Sequence, residues 1–149
     1  MITSGTAFQF IRDQFNGLHD LEGDVIKLAL FNTLATIDRT TVDLYSSLTN
    51  ECSGSGYTTG GETLTLTAVF NVGFLPGMDI ADIQWTGVDL GGSVPAQAIK
   101  AGVIYNTSQS GKIIAVIDFG TPIILNSNDL TINWPDATNP ANAFIVGCA

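Results

Sequence analysis

His19 is the only histidine among the 149 residues, so a Ser-His-Asp relay or an imidazole general base would have to be built on it. No Gly-x-Ser-x-Gly elbow accompanies it, and Asp20 follows directly at the end of a helical pattern. A surface or helix-terminal histidine is expected. Asp20, Glu22 and Asp24 alternate and could offer oxygens to calcium, but they lack the turn glycine and terminal Glu of an EF-hand loop. They read as an acidic loop before a strand. One histidine with two distant cysteines, Cys52 and Cys148, does not supply a closed zinc set. The run Gly54-Ser55-Gly56-Tyr57-Thr58-Thr59-Gly60-Gly61 has neither dinucleotide nor Walker spacing, and it precedes a strand where a phosphate loop would open a helix. Its glycines are expected to supply positive φ and close backbone approach, with Tyr57 anchoring the segment by its ring.

Glycoside hydrolysis would need two carboxylates across one cleft, and Asp79, Asp82, Asp89, Asp118 and Asp129 all fall in or near strands. Asp118 interrupts an apolar run just before Phe119-Gly120, where backbone N–H groups at a strand end can hold it in a structural role. Trp85, Trp134, Tyr57 and Tyr105 could stack on sugar rings. In a small sandwich such rings more often fill the core or an intersubunit seam. Asn106-Thr107-Ser108 is a glycosylation sequon only in a secretory setting. No catalytic, cofactor-binding or metal-binding residue is assigned, and no cofactor is expected.

The elements that would carry these groups are mostly strands. Ser4 can cap a short helix in which Ala7/Phe8, Ile11, Phe15 and Leu18 recur at helical spacing, with Gly17 as its stop. Residues 1–24 thus form a helical N-terminal arm that either closes one end of a sandwich or docks on a neighbouring subunit. Val25-Ile26-Lys27-Leu28-Ala29-Leu30-Phe31 reads as a buried strand. A long polar excursion follows over residues 32–62. Six further strands are expected at 63–70, 80–85, 98–105, 112–119, 129–134 and 143–146. Breakers such as Pro76-Gly77, Gly91-Gly92 and Asn126-Ser127-Asn128 separate them, and a hairpin over residues 106–111 joins two of them. Thr63-Leu64-Thr65-Leu66-Thr67 alternates, so one of its faces is wet. Ile113-Ile114-Ala115-Val116-Ile117 reads as a central strand. The expected fold is all-β: a single antiparallel β-sandwich over residues 1–149, jelly-roll or Ig-like, with a short N-terminal helix and a β core over 25–149.

Charged residues make up only 13% of the chain against 45% hydrophobic, so Ser, Thr, Asn, Gly and some apolar groups must cover the surface. Such a surface suits a chain partly hidden in an assembly. With 14 acidic residues against 5 basic ones the net charge is -9, which disfavours nucleic acid and anionic membranes as partners. No apolar run approaches the ~20 residues that span a bilayer, and Arg12 and Asp13 interrupt any signal-like start. Folding in a cytosol, with Cys52 and Cys148 as free thiols in preference to a disulfide, is expected.

Residues 25–134 carry an ordered set of short pieces. They are Leu28-Ala29-Leu30-Phe31, Asn50-Glu51, Ser53-Gly54-Ser55-Gly56-Tyr57, Gly60-Gly61, Asp82-Ile83-Gln84-Trp85, Gly102-Val103-Ile104-Tyr105-Asn106, Ile117-Asp118-Phe119-Gly120 and Leu130-Thr131-Ile132-Asn133-Trp134. In order and spacing this set resembles a family of small β-rich virion structural proteins of tailed bacteriophages. The resemblance implies a non-enzymatic role in a virion assembled in the host cytoplasm. The role expected first is a capsid decoration, or cement, protein that binds the major capsid protein and stabilises the phage head. A homo-oligomer is expected with it, a trimer first because three-fold sites recur on icosahedral shells. The N-terminal helix and residues 141–149 are the segments expected at contacts. A tail, neck or fibre component is the runner-up. From a different class stands a carbohydrate-binding module using Trp85, Tyr57 or Trp134 as its platform.

Overall fold

Three strands of nearly uninterrupted apolar sequence form the centre of the molecule: β3 (Ile26–Asn32), β9 (Ile99–Asn106) and β10 (Lys112–Ile123). Consecutive residues along them are buried, Leu28 to Phe31 and Ala101 to Asn106 among them. Burial of neighbours that point to opposite faces requires cover on both sides of the sheet. The computed structural model describes residues 1–72, 75–91, 95–134 and 144–145. It shows an antiparallel β-sandwich with one short helix.

The principal sheet has five strands in the order β2-β10-β9-β3-β5, with β2 at Gly5–Thr6 and β5 at Glu62–Thr63. All its pairings are antiparallel. The hairpin over 106–111 joins β9 to β10 as the turn chemistry predicts, with Lys112 opposite Asn106. The second layer is built from β8 (Ile83–Val88) paired with β11 (Asn128–Ile132). A separate sheet has β7 (Leu75–Ile80) between β6 (Leu66–Val72) and β12 (Phe144–Ile145). β8 alternates as a half-wet strand should, Ile83, Trp85 and Val88 inward and Gln84 and Thr86 outward.

Two expected strands are each divided in two, for one reason. The run 63–70 breaks at Leu64–Thr65, where the chain leaves β3 for β7, and 80–85 breaks at Ala81–Asp82, where it leaves β6 for β11. Strands that switch sheets must bend, and the bends fall at these pairs, closed by Leu64 N–H to the Ile26 carbonyl and Ala81 N–H to the Thr65 carbonyl, both 2.9 Å. Pro76-Gly77, expected to break the chain, lies inside β7. Proline is tolerated near the start of a strand, and here Pro76 stands opposite Asn71. Of the expected strand 143–146 only Phe144–Ile145 is described. The rest of the 141–149 tail, and with it Cys148 and any pairing to Cys52, lies outside the described residues.

The N-terminal stretch is woven in. β1 (Ile2–Thr3) pairs in parallel with β4 (Ile37–Asp38), and β2 pairs with β10. Ser4 therefore does not cap the helix: its hydroxyl donates to the Val116 carbonyl at 3.1 Å, and Ala7 occupies the N-cap without a side-chain bond. The helix α1 spans Phe8–Phe15 and ends as expected, with Gly17 at φ 66° and its N–H on the Gln14 carbonyl. The excursion 32–61 is likewise tied down, by β4, by a 3-10 turn at Tyr45–Ser47 and by isolated bridges Phe31 to Glu51, Leu44 to Lys112 and Ser55 to Asp89.

Candidate functional site

Residues 50–61 form a clasp between the two layers. Cys52 N–H bonds the Leu30 carbonyl at 2.8 Å on one side, and Asp89 N–H bonds the Ser55 carbonyl at 2.9 Å on the other. Gly61 has φ 69°, and a Cβ there would lie 1.8 Å from the Leu28 carbonyl oxygen. Gly56, at φ 75°, would place one 2.9 Å from two carbonyl oxygens of the β8 end. Only glycine fits either place. Tyr57 anchors the clasp: its ring is buried 6.4 Å from that of Trp85, its hydroxyl accepts Leu30 N–H at 2.9 Å, and it donates to Glu51 at 2.8 Å. The Glu51 carboxylate also receives Gly60 N–H at 2.7 Å and the Tyr45 hydroxyl. Tyr45 in turn stacks on Tyr105 at 4.3 Å, and Tyr105 donates to the Gly60 carbonyl at 2.6 Å. Burial first, and then Glu51, raises the phenols of Tyr45 and Tyr105 above their ordinary value; Tyr57 rises chiefly through burial. Burial, with Glu51 beside it, pushes the Cys52 thiol up to about 12, which makes it inert as a nucleophile at neutral pH. The cluster is a set of neutral hydroxyls closed around one carboxylate. Glu51 had no role assigned from sequence, and its meaning comes only from the tyrosines that converge on it.

A second polar cluster lies beneath α1. Lys112 pairs with Asp13 of the helix at 3.3 Å and with Asp43 of the excursion at 2.7 Å, so one ammonium joins three segments. His19, expected at the surface or a helix end, is instead 8% exposed and packs its ring 4.9 Å from Phe10. The polypeptide turns inward after Gly17, and Leu18 N–H returns to the Asp13 carbonyl. Asn106, 0% exposed, holds the cluster: its amide donates to Asp24 at 2.6 Å and meets His19 Nδ1 at 3.0 Å, and its carbonyl oxygen accepts Gln109 N–H at 3.1 Å. A sequon asparagine so enclosed cannot accept a glycan. Burial lowers the His19 pKa, partly offset by Asp13 and Asp24. His19 Nε2 is buried without a hydrogen-bond partner among the described residues.

Five further carboxylates hold backbone. Asp20 accepts Glu22 and Gly23 N–H at 3.3 and 3.2 Å, so the acidic loop closes on itself. Asp82, Asp89 and Asp129 accept the N–H groups of Trp134, Gly91 and Gly87 at 2.8–2.9 Å. Asp118 accepts Gly120 N–H at 2.8 Å, as expected for a strand end, and pairs with Lys100 at 2.8 Å. The Lys100 bond, then Gly120, holds its carboxyl below the ordinary value. Among the described residues no group of three or more His, Cys, Asp or Glu could hold a metal ion, and no helix is long and apolar enough to cross a membrane. Trp85, Tyr57 and Tyr105 are buried, so none of the three presents a face for a sugar ring.

What does face outward is the stripe the helical spacing singled out. α1 turns Phe10 and Asp13 inward and leaves Phe8 at 49% and Phe15 at 84% exposed, with Ile11 half-buried between them and Leu18 exposed beyond. Residues 8, 11 and 15 share one helical face, opposite the buried one. The helix is thus docked by the face that carries an acid, and its more apolar face is bare. Compared with protein-family models, with curated protein sequences and with solved structures, the chain matches none.

Proposed function

We propose that this chain is a non-enzymatic structural protein of a tailed-bacteriophage particle, most simply a capsid decoration protein that binds the assembled head. The observation that carries the reading is the exposed apolar face of α1, with Phe8 and Phe15, on a small β-sandwich in which Asp118 and Asp129 hold backbone N–H groups. Contiguous apolar surface of this kind marks a contact with another protein. The sequence resemblance over residues 25–134 supplies the particle. The mechanism is interfacial: a protein that binds the closed shell but not its free subunits stabilises the shell by mass action.

The test mixes the purified chain with shells that lack it and counts bound copies. Saturable binding at many equivalent sites supports decoration. Absence of binding to shells, together with a handful of copies on native particles, overturns it in favour of a tail or neck component.

A further inference from the structure

Asn106 is fully enclosed, and its bonds fix which way its amide points. The carbonyl oxygen accepts Gln109 N–H at 3.1 Å, so the NH2 group faces the other way. There one N–H reaches Asp24 at 2.6 Å and the other meets His19 Nδ1 at 3.0 Å. An N–H can bond Nδ1 only when that nitrogen is an acceptor, which puts the single proton of the neutral ring on Nε2. Turning the amide over would set its oxygen against the Asp24 carboxylate and its NH2 against Gln109 N–H. The fold therefore accepts one form of His19, the neutral Nε2–H tautomer.

The charges around this ring come from several elements. Asp13 of α1 and Asp24 before β3 favour a proton on it; Lys112 of β10 opposes one, and burial opposes it most. Both acids already have partners. Asp13 pairs with Lys112 at 3.3 Å, and Lys112 is held in turn by Asp43 of the excursion at 2.7 Å. Asp24 accepts Asp20 N–H at 3.0 Å besides the Asn106 bond. His19 Nε2 has no hydrogen-bond partner among the described residues, so no acceptor stands ready on that side either.

We infer that His19 is an acid-released latch on the segment that joins α1 to β3. A proton added at Nδ1 makes that nitrogen a donor facing the Asn106 N–H, two donors with no acceptor between them, and the bond from the segment to β9 is lost. Residues 10–20 then loosen as a flap fastened at both ends. At one end β2 stays paired with β10 and Phe8 N–H stays on the Arg39 carbonyl at 3.0 Å. At the other, Asp24 keeps its bond to Asn106 and β3 stays in the sheet. Opening uncovers Phe10, 1% exposed in the closed form and packed 4.9 Å from the His19 ring, next to Phe8 and Phe15. The apolar surface of α1 is thus enlarged in acid without unfolding the sheet. This does not depend on what that surface binds.

The experiment uses the whole purified chain. Nitrogen NMR of the His19 ring assigns its tautomer at pH 7.5. Hydrogen exchange read by mass spectrometry at pH 7.5 and 5.0, corrected for intrinsic rates, compares residues 10–20 with β9. Carboxylates ordinarily titrate near 4, so His19 is the side chain whose charge changes over this range. The expected result is the Nε2–H tautomer, with β9 unchanged in acid. Exchange in residues 10–20 should accelerate by up to about 30-fold, the most that one group of ordinary pKa about 6.5 can supply by pH 5.0. His19→Gln and His19→Phe, which carry no titrating ring, should lose that acceleration. An Nδ1–H tautomer overturns the inference. So does exchange in residues 10–20 that does not accelerate, that accelerates equally in β9, or that accelerates as before in both variants.

Discussion

Residues 50–61 and residues 1–24 flank opposite edges of the same five-stranded sheet, and different forces hold them there. The 50–61 clasp lies by β3 and β5 and is fixed by shape: backbone angles that only glycine takes, carbonyls too close for a side chain, and buried phenols around Glu51. The N-terminal segment lies by β10, where β1 and β2 pair with the sheets and Ala7 and Phe10 are buried. Its polar side chains tie it further, through Asp13 to Lys112 to Asp43 and through His19 and Asp24 to Asn106. The clasp turns its aromatic rings inward; the helix leaves Phe8 and Phe15 bare. One edge is thereby closed around buried rings. The other is responsive, and it carries the surface offered to a partner.

If shape alone holds the clasp, Gly61→Val has the largest effect of any single change. A side chain at φ 69° is strained by about 1–2 kcal/mol, and the overlap with the Leu28 carbonyl cannot relax without breaking the pairing of β3 with β5. We predict no soluble folded protein. Gly56→Val is expected to give a weaker form of the same defect, read as a lowered thermal midpoint. A Gly61→Val variant with wild-type stability would show that the clasp can be redrawn around a side chain.

On the charged edge, Lys112→Met leaves the buried Asp13 with only the exposed Arg12 guanidinium, 3.9 Å away, and should cost about 3 kcal/mol in urea unfolding. The double variant with Asp13→Leu should recover part of that loss, since it removes the uncompensated charge as well. Equal stability of the single and double variants would mean that the ion pair contributes nothing to holding the helix.

The clasp can be probed more gently with Tyr57→Phe. The ring stays, but buried Leu30 N–H loses its acceptor and Glu51 one of its donors. The expected cost is about 1–3 kcal/mol, with the same loss at pH 5.5 and pH 7.5. The thiol of Cys52 offers a companion measurement: native protein should alkylate there only on unfolding, because the thiol is buried and its pKa is raised.

These two edges also differ in how much of them is legible in the sequence. The clasp could be read because Gly56, Tyr57, Gly60 and Gly61 advertise a local backbone need, and local needs are written in neighbouring residues. The helix position and its Gly17 stop were readable for the same reason. Which face of the helix would be buried was not. The spacing of Phe8, Ile11 and Phe15 leaves open whether the stripe packs inward or meets a neighbour, and in the fold the buried face is taken by Phe10 and by Asp13, which pairs with Lys112 nearly a hundred residues away. Nor could the sequence place Asn106 at the centre of a polar cluster, because its partners Asp24 and His19 lie more than eighty residues distant. The expected strands at 63–70 and 80–85 each straddle a bend between two sheets, because a sheet switch leaves no breaker residue.

The smallest effect expected is a slope with pH, and it belongs to the charged edge alone. His19 titrates ordinarily near 6.5, and burial lowers its pKa in the folded chain despite Asp13 and Asp24 nearby; Lys112 lowers it further. Between the folded and unfolded values the unfolded chain binds more protons, so stability must fall as pH drops below about 6.5. One proton limits the slope to about 1.4 kcal/mol per pH unit. Asp24 adds the same sign at lower pH: the Asn106 bond depresses its pKa, and that stabilisation disappears as pH falls through the acid range. The check is the urea midpoint of wild type and His19→Phe at pH 7.5, 6.5 and 5.5. Wild type should lose stability down this series, and the variant, which retains a ring against Phe10, should be flatter. A slope that persists in His19→Phe and vanishes in Tyr57→Phe would exchange the roles of the two edges, making the clasp the part that senses pH.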